Sequence, residues 1–452
     1  MKKLILGVSL LAFCTAAHSE QVQKPCKNPI EKENVKPVET IKVKEFKTDS
    51  INFKITGETS ANHYVFNMTQ KNQNDGKGRG NHLAVEDSLL NFDVSSTYAN
   101  HEFGYLIGIT GNAEKGENPI KENRIKVKGA WGTILVGDTK SPSDFMAVDT
   151  SYFVGGTGGV LGNYRGVINE TTGVILKTDL LDALSPKDQT KIIYVSPNFY
   201  GFQAGYAYIP DGSHKGEQKL ASHSPHSHGI KTLADKRLSG QNFHEMVLKY
   251  KITPAEKFNI DFSGSTIFGK MRNLNGKMRN SKDNFAQELH AYRIKNHLTH
   301  SMSIERNDLF SYAGGLVVSY NGFSIGSEFV NNGKSAQLKI LEGGNMGKVW
   351  TIGAGYSDQL NKVSLTYFNS KRSLGKIENH NFGNAKAENF ALTFDRQILP
   401  GMTLYAEGLL LNHKNSSNDN VKHWSKHMNG FSDVLIYSNK GKVITTGTRL
   451  KF

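Results

Sequence analysis

Basic side chains recur at every second position in two short apolar segments of the chain. The basic positions are Arg124, Lys126, Lys128, Lys249 and Lys251. Ile125 and Val127 occupy the alternate positions of the first segment. Because successive side chains of a β-strand point to opposite faces, this spacing predicts a ladder of fixed positive charge on one face. Such a ladder attracts anions, although the polar face of an ordinary soluble strand would show the same spacing.

A long irregular segment, residues 139–189, carries mostly acidic charge. The acidic candidates are Asp144, Asp149, Glu170, Asp179 and Asp182. If this segment faced the basic positions across a narrow aqueous gap, the two sets of charges would create a transverse field that favours particular ions. The alternative is that several of these acids cap turns or pair locally. Two glycine pairs, at 155–156 and 158–159, suit a segment packed tightly against a wall.

The sequence contains no motif that predicts catalysis or a bound cofactor. The patterns HExxH and the P-loop are absent, and the one GxSxG match, at residues 322–326, begins in the hairpin turn predicted at Asn321-Gly322 and not at a turn from a strand into a helix, so neither an enzyme activity nor a cofactor is predicted. Four histidines cluster within residues 209–241, namely His214, His223, His226 and His228. They have no cysteines or helical spacing beside them, which favours a solvated loop over a metal site. The net charge of +14 could attract nucleic acid, but no binding motif supports that partner.

Composition indicates which elements must position these charges. The chain has 452 residues, and its hydrophobic fraction of 37% is low for a protein of this size with a dry core. A membrane barrel with a wet lumen needs apolar residues only on its outer face. Beyond the N-terminus, no apolar stretch is long enough for a helix to cross a bilayer. A membrane-spanning chain of this sequence must therefore be a closed barrel.

The N-terminal residues have the pattern of an export signal. Two lysines, an apolar run over Leu4–Ala17 and small residues after it predict a secretory signal peptide at residues 1–19. Residues 20–50 are rich in lysine, glutamate and proline and predict a flexible periplasmic extension. This extension holds Cys26, the one cysteine left after cleavage, which we expect to be a free thiol or, alternatively, to bridge two chains.

Alternating strands follow and define a barrel domain at residues 51–452. Seven short connections alternate with eight long ones, which predicts sixteen antiparallel strands with short turns at one rim, as in transmembrane barrels. Asn321-Gly322 is the clearest hairpin turn. An extra hairpin within residues 268–309 would instead give eighteen strands. The predicted strands are 51–67, 83–98, 101–111, 123–129, 133–138, 190–197, 201–208, 242–252, 258–267, 310–320, 322–330, 349–357, 362–368, 387–396, 401–411 and 443–452.

The last predicted strand, VITTGTRLKF, runs to the final residue. Its apolar face carries Leu450 and Phe452, whereas Arg449 and Lys451 lie on the other face. Few soluble domains finish within a strand on an aromatic residue. We therefore expect this strand to close the barrel by pairing with the first strand.

The sequence resembles the Gram-negative general porin family over roughly residues 51–452. The resemblance is carried by GAWGTILVGD, YVSPNFYGFQAGYAY, the pair VWTIGAGYSD and VSLTYF, and the terminal TGTRLKF. It implies a homotrimer of barrels in the outer membrane that passes small hydrophilic solutes. It also implies that the loop between Asp138 and Lys191 bends inward and that the outer-membrane assembly machinery reads Phe452.

Two further expectations concern the charged groups. The family commonly carries Gly-Arg where this chain has Gly137-Asp138, so this position does not supply the arginine that the family usually has at the constriction. Basic outer loops would contact outer-membrane lipid, including anionic lipopolysaccharide. The sequence thus favours a passive water-filled channel, with an anion-preferring channel as its nearest variant. The alternatives are a surface adhesin or structural barrel with a plugged lumen, and an outer-membrane hydrolase.

Overall fold

The computed structural model describes most of the predicted barrel domain. The described residues are 51–69, 78–111, 119–164, 189–212, 240–271, 274–276, 302–337, 339, 341–377, 380–381, 383–416 and 438–452. The predicted signal peptide, the extension and Cys26 lie outside them, as do the four histidines of the 209–241 segment. Among the described residues, no helix is both long and apolar enough to cross a bilayer.

The described residues form twenty strands, and sixteen of these make one closed antiparallel barrel. The strands are β1 (Ile51–Met68), β2 (Arg79–Tyr98), β3 (His101–Thr110), β4 (Ile120–Gly129), β5 (Gly132–Asp138), β6 (Thr190–Val195), β7 (Phe202–Asp211), β8 (Gly240–Ala255), β9 (Phe258–Met271), β10 (Leu274–Gly276), β11 (Met302–Ile304), β12 (Leu309–Tyr320), β13 (Phe323–Gly333), β14 (Gly347–Ser357), β15 (Asn361–Ser373), β16 (Lys376–Ile377), β17 (His380–Asn381), β18 (Asn384–Leu399), β19 (Met402–Asn415) and β20 (Asn439–Lys451). The helix α1 (Pro142–Met146) and two 3-10 turns (Thr150–Tyr152 and Gly159–Leu161) lie between β5 and β6.

The prediction of sixteen strands is confirmed, and the alternative of eighteen is wrong. The short strands β10 and β11 form a two-stranded sheet outside the barrel, and β16 and β17 form another. Most barrel strands run further toward the long connections than predicted; β15, for example, ends at Ser373 rather than at residue 368. The prediction followed apolar alternation, whereas backbone pairing continues into segments whose outward residues are polar.

Alternation along each strand separates an apolar outer face from a polar or small inner face. On β18, Phe390 is 48% and Leu392 is 58% exposed, whereas the intervening Ala391 is 1% exposed. An isolated barrel leaves its lipid-facing side chains exposed, because lipid provides their apolar surroundings. The described residues therefore have the apolar face outside and the packed face inside.

The connections sort by length as the sequence predicts. Asn321 and Gly322 both have positive φ, +46° and +88°, as a two-residue type I′ hairpin requires. Ala99 and Asn100 make a similar turn with φ of +47° and +62°. Short turns of this kind occupy one rim, and every long connection leaves from the other rim.

The first and last strands close the barrel. β20 pairs with β1 from Lys451 opposite Glu58 to Gly441 opposite Met68. Beyond the ladder, Gly57 and Phe452 exchange backbone hydrogen bonds of 2.9 and 3.0 Å. The ring of Phe452 covers Gly57 so closely that a Cβ there would lie 2.8 Å from Cε1. Position 57 therefore suits glycine, and the C-terminal residue is part of the closure.

Candidate functional site

The segment after β5 turns back toward the barrel wall and is held at its root by Lys191. Lys191 on β6 is 1% exposed, and its Nζ donates to Thr139 O at 2.6 Å and to Ser141 Oγ at 3.2 Å. The backbone N–H of Ser141 donates to Asp144 Oδ2 at 2.9 Å, which fixes the start of α1. We term residues 139–164 the inner loop.

The inner loop first packs against the inward face of β8 and β9. The backbone N–H of Ser143 donates to Glu245 Oε1 at 2.6 Å, and that of Val148 donates to Ser263 Oγ at 2.7 Å. Glu245 and Ser263 are almost fully buried, whereas Leu248, on the opposite parity of β8, is 50% exposed. The loop therefore lies inside the barrel.

A niche of glycines then receives Phe153. A Cβ added to Gly326, Gly353 or Gly355 would lie 3.0, 3.1 or 2.9 Å from the Phe153 side chain. Any larger residue at these positions of β13 and β14 would push the ring away. Phe153 is consequently only 3% exposed, although it belongs to a loop.

Two wall carboxylates bind the backbone of the next turn. Asp395 Oδ1 accepts from Gly156 N at 2.6 Å. Glu407 Oε2 accepts from Thr157 N at 3.0 Å and from Gly159 N at 3.1 Å. Glu407 is 2% exposed, so these bonds replace the water that a buried carboxylate would otherwise need. The two acids act as anchors for the glycine-rich turn.

The last described part of the inner loop reaches the strands near the barrel closure. Tyr164 is fully buried, and its Oη accepts from Asn389 Nδ2 at 3.1 Å. Asn163 Nδ2 donates to Asp87 Oδ2 at 2.8 Å, which connects the loop to β2. From its root at β5 and β6, the loop thus follows the inner wall past β8, β14 and β18 to β2.

The predicted basic ladder, Arg124, Lys126 and Lys128, lies on β4, at the same parity as the buried Glu122. Arg124 Nε lies 3.5 Å from Glu122 Oε2, and Lys126 Nζ lies 2.6 Å from Glu102 Oε1. The Arg124 and Lys126 side chains keep 25% and 27% of their surface exposed. The ladder therefore faces inward and contains acids as well as bases.

The other two basic candidates lie on β8 at the inward parity. Lys249 Nζ donates to the hydroxyl of Tyr152 at 2.6 Å and lies 5.4 Å from the centre of that ring. Lys249 therefore contacts the inner loop. Lys251 lies two residues nearer the short-turn rim and is exposed.

The described acidic candidates make local turn contacts. Asp144 accepts from Ser141 N at 2.9 Å, and Asp149 Oδ1 accepts from Ser151 N at 2.8 Å at the start of a 3-10 turn. These are the capping contacts that the sequence left open as the alternative. The remaining candidates, Glu170, Asp179 and Asp182, lie outside the described residues.

Asp138, where the family commonly has arginine, is a structural residue here. It is 5% exposed and accepts from Thr190 Oγ1 at 2.5 Å, which ties the end of β5 to the start of β6. The strand β5 has no basic residue that could replace the family's arginine. Arg124 on β4, which lies opposite Gly137, is the residue of the basic ladder nearest to Asp138 in register. Within the described ranges, no group of three or more histidine, cysteine or acidic residues could hold a metal ion.

Sequence reasoning missed the residues that hold the inner loop. Lys191, Glu245, Asp395 and Glu407 all lie on the inward parity of their strands, which is a detectable signal. An inward carboxylate among small or apolar neighbours, such as Glu407 in YAEGLLL, indicates an internal partner. The identity of that partner was not accessible, because Thr157 and Glu407 are 250 residues apart in sequence.

Comparison with known sequences finds one family model and several relatives. A family model described as Gram-negative porin matches residues 8–418. An uncharacterised protein of Rickettsia conorii is 21% identical over 491 residues, with 100% of both chains covered. Another, of Rickettsia felis, is 22% identical over 490 residues, again with 100% of both chains covered.

Comparison with solved structures finds similar barrels at low identity. The trimer form of OmpT, an outer membrane protein of Vibrio cholerae, has a TM-score of 0.52 at 12% identity and covers 89% of this chain and 100% of its own. The outer membrane channel DcaP of Acinetobacter baumannii has a TM-score of 0.50 at 9% identity and covers 89% of this chain and 97% of its own. At these identities the two structures support the fold alone.

Proposed function

The chain belongs to the Gram-negative porin family and is an outer-membrane barrel, and from this premise we propose that it forms a water-filled channel. Ions and small hydrophilic solutes would diffuse through it passively. The observation that carries this proposal is the inner loop, which is fixed to the inner wall by buried side chains. A loop held in this way narrows the lumen at a defined level.

The passage would run between the inner loop and the ladder on β4. Arg124 and Lys126 keep part of their side chains exposed on this wall, which would leave fixed charges in contact with water. Because each base has a carboxylate partner, the electric field of the wall is weaker than that of isolated cations. We therefore favour a weakly selective diffusion channel over the strongly anion-preferring variant.

We propose that the functional unit is a homotrimer. The outward face of β19, β20 and β1 carries small residues that would let two barrels approach closely. These are Ala61, Ala406, Gly408, Thr446 and Thr448, of which Ala406 pairs with Thr446 and Ala61 with Thr448. The trimer form of OmpT supports this assembly for a barrel of similar fold.

We propose that residues 1–50 serve export and that the last strand serves assembly into the membrane. Residues 1–19 would direct the chain through the inner membrane, and residues 20–50 would remain in the periplasm. Leu450 and Phe452 would serve the assembly machinery as an outward apolar C-terminal signal, since they are 46% and 71% exposed. Outer-membrane lipid would surround the barrel.

Conductance in planar bilayers tests the channel directly. Purified protein should give discrete single-channel steps that grow in proportion to salt concentration, because free diffusion does not saturate. Reversal potentials in a KCl gradient should be small. A folded protein that gives no steps would refute the channel and favour the plugged adhesin or structural barrel. Strong anion preference with saturation would instead indicate an anion-specific site.

A further inference from the structure

Four lysines form a transverse row on the outer wall of the barrel. Register places Lys348 of β14 opposite Lys371 of β15, Lys371 opposite Lys386 of β18, and Lys386 opposite Lys414 of β19. All four lie at the outward parity, near the ends of their strands that lead into long connections. We term these four residues the lysine row. Three strand spacings give it a length of about 14 Å.

This arrangement is unfavourable for a barrel on its own. Like charges directly opposite each other on neighbouring strands destabilise a sheet, and here the opposition is repeated three times in succession. Lys386 has one partner, since its Nζ lies 2.6 Å from Glu388 Oε1. Across the part of the chain that the structure describes, Lys348, Lys371 and Lys414 make no ion pair. The row therefore retains an excess of positive charge that an external anion would neutralise.

An apolar layer lies next to the lysine row on the membrane side. Trp350 and Tyr367 pack edge to face with ring centres 5.1 Å apart, and Tyr367 and Phe390 have ring centres 4.5 Å apart. Aromatic girdles of this kind mark the boundary between hydrocarbon and headgroups in outer-membrane barrels. The lysines, two to four residues further along their strands, would then lie at the level of the headgroups.

A shallow groove of about 500 Å³ runs through this layer, directly below Lys386 and Lys414. It is lined by Tyr367, Glu388, Phe390, Leu410, Leu411 and Asn412. Asn412 Nδ2 donates to Glu388 Oε2 at 3.1 Å, whereas Asn412 Oδ1 is buried without a hydrogen-bond partner among the described residues. The groove thus combines an apolar floor with an unused acceptor at its upper edge.

We propose that the lysine row and this groove form a binding site for an anionic lipid of the outer leaflet whose headgroup carries two or more phosphates. The phosphates would lie along the row, an acyl chain would lie in the groove, and a headgroup hydroxyl or amide would donate to Asn412 Oδ1. The occupant is a lipid rather than a free anion, because the charged row and the apolar groove are continuous. The proposal rests on the outer-membrane location but does not depend on conduction.

Lipid titration of the full-length protein tests this site. Wild type in zwitterionic micelles would be titrated with a bis-phosphorylated glycolipid, with the same lipid after removal of its phosphates, and with inorganic phosphate, and bound lipid would be counted by native mass spectrometry. The site variant is Lys371→Gln/Lys414→Gln, which leaves the Lys386–Glu388 pair intact. The charge-matched control is Lys257→Gln/Lys270→Gln, which changes two exposed lysines away from the row.

The site variant should bind the phosphorylated lipid roughly 20-fold more weakly at low salt, because each lysine near an anionic headgroup contributes about fivefold. The control should bind as wild type does. Wild-type affinity in the site variant, or equal binding of the dephosphorylated lipid, would overturn the proposal. Binding of inorganic phosphate as tight as that of the lipid would show a free-anion site and would also overturn it.

Two further readouts separate this proposal from folding defects and from the channel function. Without lipid, the site variant should unfold at the same temperature as wild type or higher, because it has lost like-charge repulsion. Added phosphorylated lipid should raise the unfolding temperature of wild type more than that of the variant, and an equal rise would count against the site. Single-channel conductance should match in both proteins, so failure of the lipid site and failure of the channel are distinguishable.

Discussion

The two halves of the inner wall have the same alternation but use different side chains. Where the inner loop lies on the wall, inward positions carry glycine, as at Gly353 and Gly355, or buried acids that bind loop backbone, as at Glu407. The strands β3 and β4 contact the described part of the inner loop only at its root. Their inward positions carry paired charges such as Glu102 and Lys126. Inward parity is therefore common to both halves, and the presence of the loop distinguishes them.

This difference shows how one inner wall can both hold a loop and carry charges that face the lumen. A charge that faces water keeps its hydration and costs little, whereas a buried charge must find partners in the protein. Glu407 finds them in the backbone N–H groups of Thr157 and Gly159, which have no partner in a regular strand or helix. The loop-bearing half thus holds the inner loop in place, and the ladder half presents charge to the lumen.

The largest expected effect comes from removing an anchor on the loop-bearing half. Glu407→Ala leaves three buried or partly buried donors of the loop without their acceptor, namely Thr157 N, Thr157 Oγ1 and Gly159 N. We expect a loss of about 3 kcal/mol in the free energy of unfolding, since each unsatisfied buried group costs about 1–3 kcal/mol. The released loop should give a higher and noisier single-channel conductance.

Urea unfolding and bilayer recording check this prediction, with Glu407→Gln as the matched control. Glutamine keeps the shape and one carbonyl acceptor, so its effects should be smaller than those of alanine in both measurements. If Glu407→Ala unfolds and conducts as wild type does, the carboxylate does not hold the loop, and the distinction between the two halves fails.

A smaller change in stability, with a clear change in selectivity, is expected on the ladder half. Arg124→Gln/Lys126→Gln removes two partly exposed bases and leaves their partners Glu122 and Glu102 in the lumen. Partly exposed ion pairs contribute about 0–1 kcal/mol each, so the fold should tolerate the change. The reversal potential in a KCl gradient should move toward cation preference.

The control for the ladder is Lys270→Gln, an exposed base at the outward parity of β9. It should leave the reversal potential unchanged, because its charge lies on the far side of the wall. An equal shift in both proteins would mean that net charge acts over a long range and that the ladder has no special position. No shift in either protein would place the narrowest part of the passage away from β4.

Sequence alone predicted the wall better than what lies inside it. Strand number, outer face and short turns follow from local rules: alternation fixes which side of β18 is apolar, and Asn321-Gly322 supplies the positive φ of a hairpin. The inward direction of the loop was implied only by resemblance to a family. Its anchors were missed because a pairing such as Thr157 with Glu407 joins distant parts of the chain.

The role of the acidic residues in the inner loop was ambiguous from sequence for a similar reason. Asp144 and Asp149 were candidates for the constriction, and sequence could not decide between that role and the capping contacts that they make. Both roles require an acid in an irregular segment near the start of a turn. The short turns at the other rim lack this ambiguity, because their partners lie within a few residues.

The short turn between β14 and β15 belongs to neither half of the inner wall. A substitution in this turn should have the smallest effect on stability of the changes considered. In the predicted turn between β14 and β15, Asp358 Oδ1 accepts from Asn361 N at 2.7 Å and from Leu360 N at 2.8 Å. These bonds from Asn361 and then Leu360 lower the pKa of Asp358 below its ordinary value of 3.8. A lowered folded-state pKa stabilises the fold above the unfolded pKa, and this stabilisation is lost as pH falls through the folded value.

Asp358→Ala should therefore lower the unfolding temperature slightly at neutral pH and not at all in strong acid. Asp358→Asn keeps the oxygen acceptor without the charge, so its deficit should be smaller and should vary less with pH. Thermal unfolding of the three proteins from neutral pH to below pH 3 would measure this. A deficit that persists undiminished in acid would mean that the turn needs the side chain for its shape alone. If Asp358→Ala destabilised the protein as much as Glu407→Ala does, an anchor of the inner loop would matter no more than an exposed turn. The comparison of the two halves would then fail.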